Sequence, residues 1–323
     1  MSRRALITGI TGQDGALLAG LLLGRGYEVA GLVRPNGPVD RSRLERLGIA
    51  GRVSLRAVDL CDPAGLAEAL AAVAPQEIYN FAAQSSVARS FAEAAPTFAL
   101  NALAVVHLLE ATRAVAPGAR FYQASSSEMF GNADRLPITE ASPLRPVSPY
   151  GIAKAAAHQV AGLYRRAHGM FIACGILFNH ESVLRPPHFV TKKILAAAVR
   201  IAAGSGERLA LGDLSIRRDW GYAPAYVEAM AAMLQQDLPD DFVICSGAAH
   251  SLEEFVAESF AAVGLDWRRH VDLDPALRRP SEIAVTYGDA GRARHRLGWD
   301  YQMRFQALIR RLVEDERAEQ GRG

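Results

Sequence analysis

Near the start of the chain, Gly9-Ile10-Thr11-Gly12-Gln13-Asp14-Gly15 limits the possible folds more than any other segment. It follows a short apolar run, Ala5–Thr8, and precedes a leucine-rich stretch, Ala16–Arg25, with the length and composition of a helix. Glycines so placed allow a tight turn, close approach of backbone to a pyrophosphate, and close packing of helix on sheet. The helix N-terminus behind them presents unpaired N–H groups and the positive end of a dipole. Strand, glycine turn and helix in this order predict dinucleotide binding, with Gly9, Thr11, Gly12, Gln13, Asp14 and Gly15 lining the cofactor.

The rest of the first half keeps that rhythm. Apolar runs at Glu28–Val33, Val53–Val58, Glu77–Asn80, Arg120–Ala124 and Ile172–Leu177 predict strands. Pro63–Val73, Thr97–Val115 and a segment from Pro149 to about His168 predict helices. Alternation of this kind implies an α/β fold, a Rossmann-like doubly wound parallel sheet covered on both faces. The rhythm breaks after about Phe178, where a loop at Glu181–His188 leads to a helix at Val190–Ala203 and then to short strands and proline-rich turns. Phe242–Cys245 reads as a late strand returning to the main sheet. The expected division is therefore a dinucleotide-binding unit over 1–178 plus the strand near 241–245, with 179–323 mainly a smaller, interleaved α/β substrate unit. Arg34, closing the second strand, stands where an adenosine ribose would lie and favours the 2′-phosphate of NADP over NAD, with Arg43 as a second cation. Asp59 and Leu60, closing the third, are placed to border the adenine.

Bulk properties exclude several classes of function. A net charge of +2 gives no nucleic-acid or membrane footprint, and no run of 18 apolar residues is present. Cys61, Cys174 and Cys245 are widely spaced, which predicts reduced thiols, no metal site and a soluble cytoplasmic protein.

Of the 36 basic residues only three are lysines, at 154, 192 and 193. Lys154 follows Tyr150 by one helical turn, so both side chains share a face. A free phenol ionises near pH ~10; acting as a base near neutrality requires about 4 kcal/mol of help, and a neighbouring cation is the usual source.

With the glycine turn, Tyr150 and Lys154 together, the chain resembles the extended short-chain dehydrogenase/reductases. Thr8–Gly15, Phe121–Ser125, Ser148–Gly151, Gly175–Ser182, Phe189–Thr191, Arg218–Gly221 and Tyr226–Met230 are similar to the GDP-mannose 4,6-dehydratase family. The resemblance implies NADP as cofactor (NAD as the alternative), a GDP-hexose as substrate, and a homodimer or homotetramer. It implies that Tyr150 takes the proton of the hexose 4-hydroxyl while Lys154 lowers its pKa. Ser126 would polarise that hydroxyl, and Glu128 would strip the C5 proton and pass it to the departing 6-hydroxyl. Ala82, Ala83, Ser85, His180 and Arg185 would touch the cofactor. Ser85, Ser126, Glu128, Asn179, Val190, Lys193, Gly212, Arg218, Arg279 and Glu282 would touch the nucleotide sugar. Departures cluster near the same places: Ser126 stands where the family has Thr, and Arg34 is followed by Pro35-Asn36-Gly37-Pro38. The competing expectations are a 4-keto-hexose reductase of the same superfamily, a dehydratase for another nucleotide hexose or heptose, and a non-catalytic NADP-binding protein.

Overall fold

The computed structural model describes residues 2–277 and 280–321. Its first part comprises β1 (Arg4–Thr8), α1 (Gln13–Gly24), β2 (Glu28–Val33), α2 (Ser42–Arg46), β3 (Val53–Ala57) and α3 (Pro63–Val73). There follow β4 (Glu77–Asn80), α4 (Val87–Ala92), α5 (Ala94–Phe98), α6 (Ala104–Val115), β5 (Arg120–Ser126), α7 (Pro149–His168) and β6 (Ile172–Leu177). Beyond these come β7 (Asn179–Glu181), α8 (Val190–Ala202), β8 (Leu209–Leu211), β9 (Arg217–Arg218), β10 (Trp220–Tyr222), α9 (Ala223–Met233) and β11 (Asp241–Ile244). The chain closes with β12 (His250–Ser251), α10 (Leu252–Ala261), β13 (Val271–Leu273), β14 (Val285–Thr286), α11 (Gly291–Leu297) and α12 (Phe305–Gln320).

Seven strands form one parallel sheet in the order β3-β2-β1-β4-β5-β6-β11. Side chains alternate between its faces with period two. Ile7, Tyr79 and Tyr122 enter one core with Leu18 and Met230, whereas Leu6, Ile78 and Phe121 enter another with Leu70 and Leu108. A third core, around Ile194, Trp220, Phe255, Phe260 and Leu312, joins α8, β10, α10 and α12. Chain order reverses between β1 and β4, so the crevice at the carboxyl ends of these strands is where such a sheet receives a ligand. Those ends are cross-tied by a buried polar row. Thr8 Oγ1 donates to Asn80 Oδ1 at 2.6 Å, and Asn80 Nδ2 donates to Gln123 Oε1 at 2.9 Å.

Several boundaries differ from expectation for local reasons. Helix α1 starts at Gln13 rather than Ala16, because Gly12 is already its N-cap. Strand β5 runs on to Ser126, since Ser125 and Ser126 keep pairing with Ile176 and Leu177. The helix expected over Thr97–Val115 is instead α5, a π-helical turn at Ala99–Leu103, and α6. That turn carries Asn101, which clamps the loop after β4 by accepting from Gln84 N and donating to Gln84 O. The run Ala94–Val115 is long and apolar enough, on composition, to cross a membrane; in this fold it packs on α3 and α7.

Candidate active site

The glycine turn is built as a backbone cradle. Gly9 has φ +68°, and Gly12 N donates to its carbonyl at 2.9 Å. A Cβ on Gly15 would lie 2.3 Å from Gly9 O, and one on Gly9 would lie 2.9 Å from Ala82 N. No side chain caps α1, so its first N–H groups are left for a ligand. Asp14 in that first turn would repel a phosphate, but its Oδ2 meets His180 Nε2 at 2.9 Å. Burial pushes Asp14 up; His180, Gln13 and Arg185 outweigh it and bring the carboxyl down to about 2. Burial likewise opposes charge on His180, and Asp14 more than reverses that, raising it. Gln13 completes the tie by donating to His180 O at 3.2 Å and accepting from Ser182 Oγ at 2.9 Å.

At the tip of β5, Ser126, Glu128, Tyr150 and Lys154 come together. Ser148 caps α7 by accepting from Gly151 N at 3.0 Å, which sets Tyr150 in the first turn. Tyr150, Ser126 and Lys154 are 9 %, 8 % and 5 % exposed. Ser126 and the Glu128 carboxylate both act on the Tyr150 phenol, in opposite senses. Ser126 Oγ also accepts from Glu128 N at 3.2 Å, capping the short turn 127–130. The expectation that Lys154 lowers the Tyr150 pKa is not met among the chain's own groups. Burial dominates and, with Glu128 against it, pushes the phenol up to about 12 even though Ser126 pulls it down. Lys154 is spent elsewhere, donating through Nζ to Ala124 O at 2.9 Å, with Nζ 5.9 Å from the Tyr150 ring centroid. Burial lowers its ammonium to about 8.

The remaining expected residues distribute around this centre. Ala82 and Ala83 follow β4, Ala82 N donating to Thr8 Oγ1 at 3.0 Å, while Ser85 is exposed on the same loop. Asp59 and Leu60 lie just past β3, where Asp59 accepts from Cys61 N. Arg34 is exposed just after β2. Arg43 instead reaches inward, donating to Leu184 O at 2.7 Å and Thr11 O at 3.2 Å. Asn179 opens β7, and Arg185 pairs with Glu181 at 3.2 Å while lying 3.8 Å over the Phe189 ring. Val190 starts α8, which no side chain caps, and Lys193 projects from its first turn. His188 beside them is held low by burial and by Arg185, Lys193, Arg43 and Arg89, so cations from several elements meet at one loop. Gly212 follows β8 against Leu277 O. Arg218 is buried and donates to Glu282 Oε1 at 2.6 Å and Ile283 O at 2.7 Å, tying two expected substrate residues to each other. Arg279 lies outside the described residues.

Other buried polar groups were given no role from the sequence. Asp219 is fully buried and accepts from Ser246 N and Gly247 N at 2.7 and 2.9 Å; burial raises it to about 6 despite those bonds. Ser125 Oγ lies 2.9 Å from His158 Nδ1, one turn beyond Lys154 on the same face of α7. His158, Cys174 and Asp241 sit close enough to suggest metal ligands, but Arg165 already holds both carboxylate oxygens of Asp241, at 3.0 and 3.1 Å. Spacing gave a hint only for His158, four residues after Lys154.

The family described as GDP-mannose 4,6 dehydratase matches residues 6–312. The chain is 43 % identical to GDP-mannose 4,6 dehydratase 2 of Arabidopsis thaliana, over 97 % of this chain and 86 % of that one. It is 40 % identical to the GDP-mannose 4,6-dehydratase of Sinorhizobium fredii (strain HH103), over 97 % and 96 % of the two chains. Among solved structures, DesIV, a dTDP-glucose 4,6-dehydratase from Streptomyces venezuelae with NAD and TYD bound, aligns with TM-score 0.88 at 25 % identity, covering 98 % of each chain.

Proposed function

Since this chain belongs to the GDP-mannose 4,6-dehydratase family, we propose that it removes water from GDP-mannose to give the GDP-linked 4-keto-6-deoxy sugar, with NADP as its cofactor. It is a hydro-lyase of the sugar-nucleotide 4,6-dehydratase type. The observation that carries the mechanism is the meeting of Ser126, Glu128, Tyr150 and Lys154 at the carboxyl end of β5.

The residues fit a nicotinamide dinucleotide. Any Cβ at Gly9 or Gly15 would fill the turn, α1 leaves N–H donors uncapped, and the Asp14 charge that would repel phosphate is offset by His180. Arg34, exposed just after β2, favours the 2′-phosphate of NADP. A bound nicotinamide dinucleotide would supply positive charge and the hydride acceptor and donor for oxidation at C4 and reduction at C6. Tyr150 accepts the 4-hydroxyl proton, with Ser126 bridging the two oxygens. Because burial holds the phenol up at about 12, this base works only beside added positive charge. Lys154, anchored on Ala124 O with Nζ 5.9 Å from the Tyr150 ring centroid, is placed to hold the cofactor's ribose rather than the phenol itself. Glu128 removes the C5 proton, made acidic by the 4-ketone, and delivers it to the C6 hydroxyl, which leaves as water. Glu128 thus serves as base and then acid, and the proton Tyr150 took from the 4-hydroxyl is the equivalent that returns to C5, which restores both side chains.

We assign 1–178 and the strand near 241–245 to the cofactor, and 179–323 mainly to the nucleotide sugar. Lys193, Arg218 and the N-terminus of α8 supply positive charge for its diphosphate. A homo-oligomer, dimer or tetramer, is supported by an apolar face on α5–α7 where Phe98, Leu103, Ile152 and Leu163 are 46 %, 47 %, 49 % and 52 % exposed. Leu109 of the same apolar stripe is buried within the subunit. The free thiols Cys61, Cys174 and Cys245 fit a cytoplasmic setting.

The test is incubation of GDP-mannose with the protein and a trace of NADP, without NADPH. Formation of the 4-keto-6-deoxy product supports dehydration with a recycled cofactor. Absolute dependence on stoichiometric NADPH and a keto-sugar substrate would contradict it.

A further inference from the structure

Tyr226, near the start of α9, has no part in the chemistry above, yet it braces a residue that does. Its ring stacks on the His180 imidazole with centroids 4.9 Å apart and planes inclined by 21°. Trp299 and Tyr301 hold it edge-on from other sides, at 5.7 and 5.8 Å. A Cβ on Gly221 would fall 2.2 Å from Tyr226 Cε2, so the strand beneath must carry glycine for the ring to fit. The phenol oxygen is buried and has no hydrogen-bond partner among the described residues, so the hydroxyl does not explain the residue. The ring face does.

On its other side, His180 is bound in a way that requires a cation. Nδ1 lies 2.7 Å from Phe178 O and Nε2 lies 2.9 Å from Asp14 Oδ2. A carbonyl and a carboxylate oxygen both accept, so both ring nitrogens donate, which only an imidazolium can do. The charged groups facing this ring are Asp14, which favours the charge, and Arg185, which opposes it. An aromatic face attracts a desolvated cation through its quadrupole. Helix α9 also packs on α1, so the stack ties β7 to the helix that carries the glycine cradle.

We propose that Tyr226 is a positioning residue whose ring face holds the His180 imidazolium against Asp14, and through that pair sets the phosphate cradle for the cofactor. The affinity part rests on the cofactor reading above; the stack itself does not.

The experiment uses the full-length protein with ring-labelled histidine and four kinds of substitution at 226: Tyr226→Phe, a series of fluorinated phenylalanines of nearly constant volume, Tyr226→Met and Tyr226→Leu. NMR titration reads His180, and NADP binding is measured alongside. Tyr226→Phe should leave the His180 midpoint and NADP affinity unchanged and the fold no less stable, since it removes an unpaired buried hydroxyl. Progressive fluorination should lower the midpoint stepwise, and Tyr226→Leu should lower it by about one pH unit and weaken NADP about five-fold. If Tyr226→Leu does not fold, the fluorinated series still decides. An unchanged midpoint along the series, or a loss in Tyr226→Phe equal to that in Tyr226→Leu, overturns the proposal. A shifted midpoint with unaltered NADP affinity overturns the positioning role. Were the wild type not to bind NADP at all, the cofactor reading would fail while the titration still reported on the stack.

Discussion

Asp14 Oδ2 and His180 Nε2 meet at 2.9 Å across 166 positions of sequence, joining the first turn of α1 to β7. A carboxylate there would oppose the phosphate binding proposed for this turn, and the His180 imidazolium offsets it.

The pair makes stability depend on pH at both ends. The Asp14 carboxyl is depressed to about 2, so its contribution is present above the ordinary value near ~3.9 and is lost as pH falls through about 2. His180 is raised, so its contribution is present below about 6.5 and is lost as pH rises through the folded value. Asp14→Asn should therefore cost about 3 kcal/mol in urea unfolding near pH ~6, because it strands a buried cation, and clearly less near pH ~9. A penalty independent of pH would count against the ion pair.

Tyr150→Phe should lower kcat by roughly 10²–10⁴-fold, the usual worth of a general base, with NADP binding and unfolding temperature nearly unchanged. Ser126→Ala should cost less, since Ser126 only bridges. Steady-state rates together with circular dichroism check both; equal rates in Tyr150→Phe and wild type would remove the phenol from the mechanism.

Glu128→Gln separates the first step from the second. Oxidation at C4 should still occur once per active site, so reduced nicotinamide should accumulate and be visible in its absorbance, while no water is lost. Full dehydration by this variant would show that another group moves the C5 proton.

The proposed preference for NADP rests on Arg34 and not on Arg43, two arginines of unlike setting. Arg34 is exposed beyond β2, whereas Arg43 is already engaged with Thr11 O and Leu184 O. Arg34→Ala should weaken NADP about ten-fold, close to 1.4 kcal/mol, and leave NAD unaffected. Arg43→Ala should weaken both cofactors, because it loosens the cradle. Calorimetry with each cofactor distinguishes these outcomes.

Strands β2, β4 and β6 were legible to the residue, and β1 to within one, because each is an apolar run bounded by a turn or a charge. That the sheet is parallel followed from the same alternation; its strand order did not. The glycine cradle and the Tyr150–Lys154 face were legible because both depend on spacing within one turn or one helix. Contacts between distant segments were not. The bond from Arg43 to Leu184 O spans 141 positions, and no local pattern marks Tyr226 as the partner of His180. The helix break that presents Asn101 also escaped notice, since Ala99–Leu103 has ordinary helical composition. The expected lowering of Tyr150 by Lys154 failed for a different reason: helical spacing shows proximity but not burial, and burial outweighs every nearby charge at that phenol.

Everything turns on whether hydrogen travels within a single sugar. GDP-mannose deuterated at C4, turned over with a trace of unlabelled NADP, should give product carrying deuterium at C6, with almost none in the recovered cofactor. Product whose C6 carries no label, with deuterium lost to solvent or left on the nicotinamide, would contradict the account.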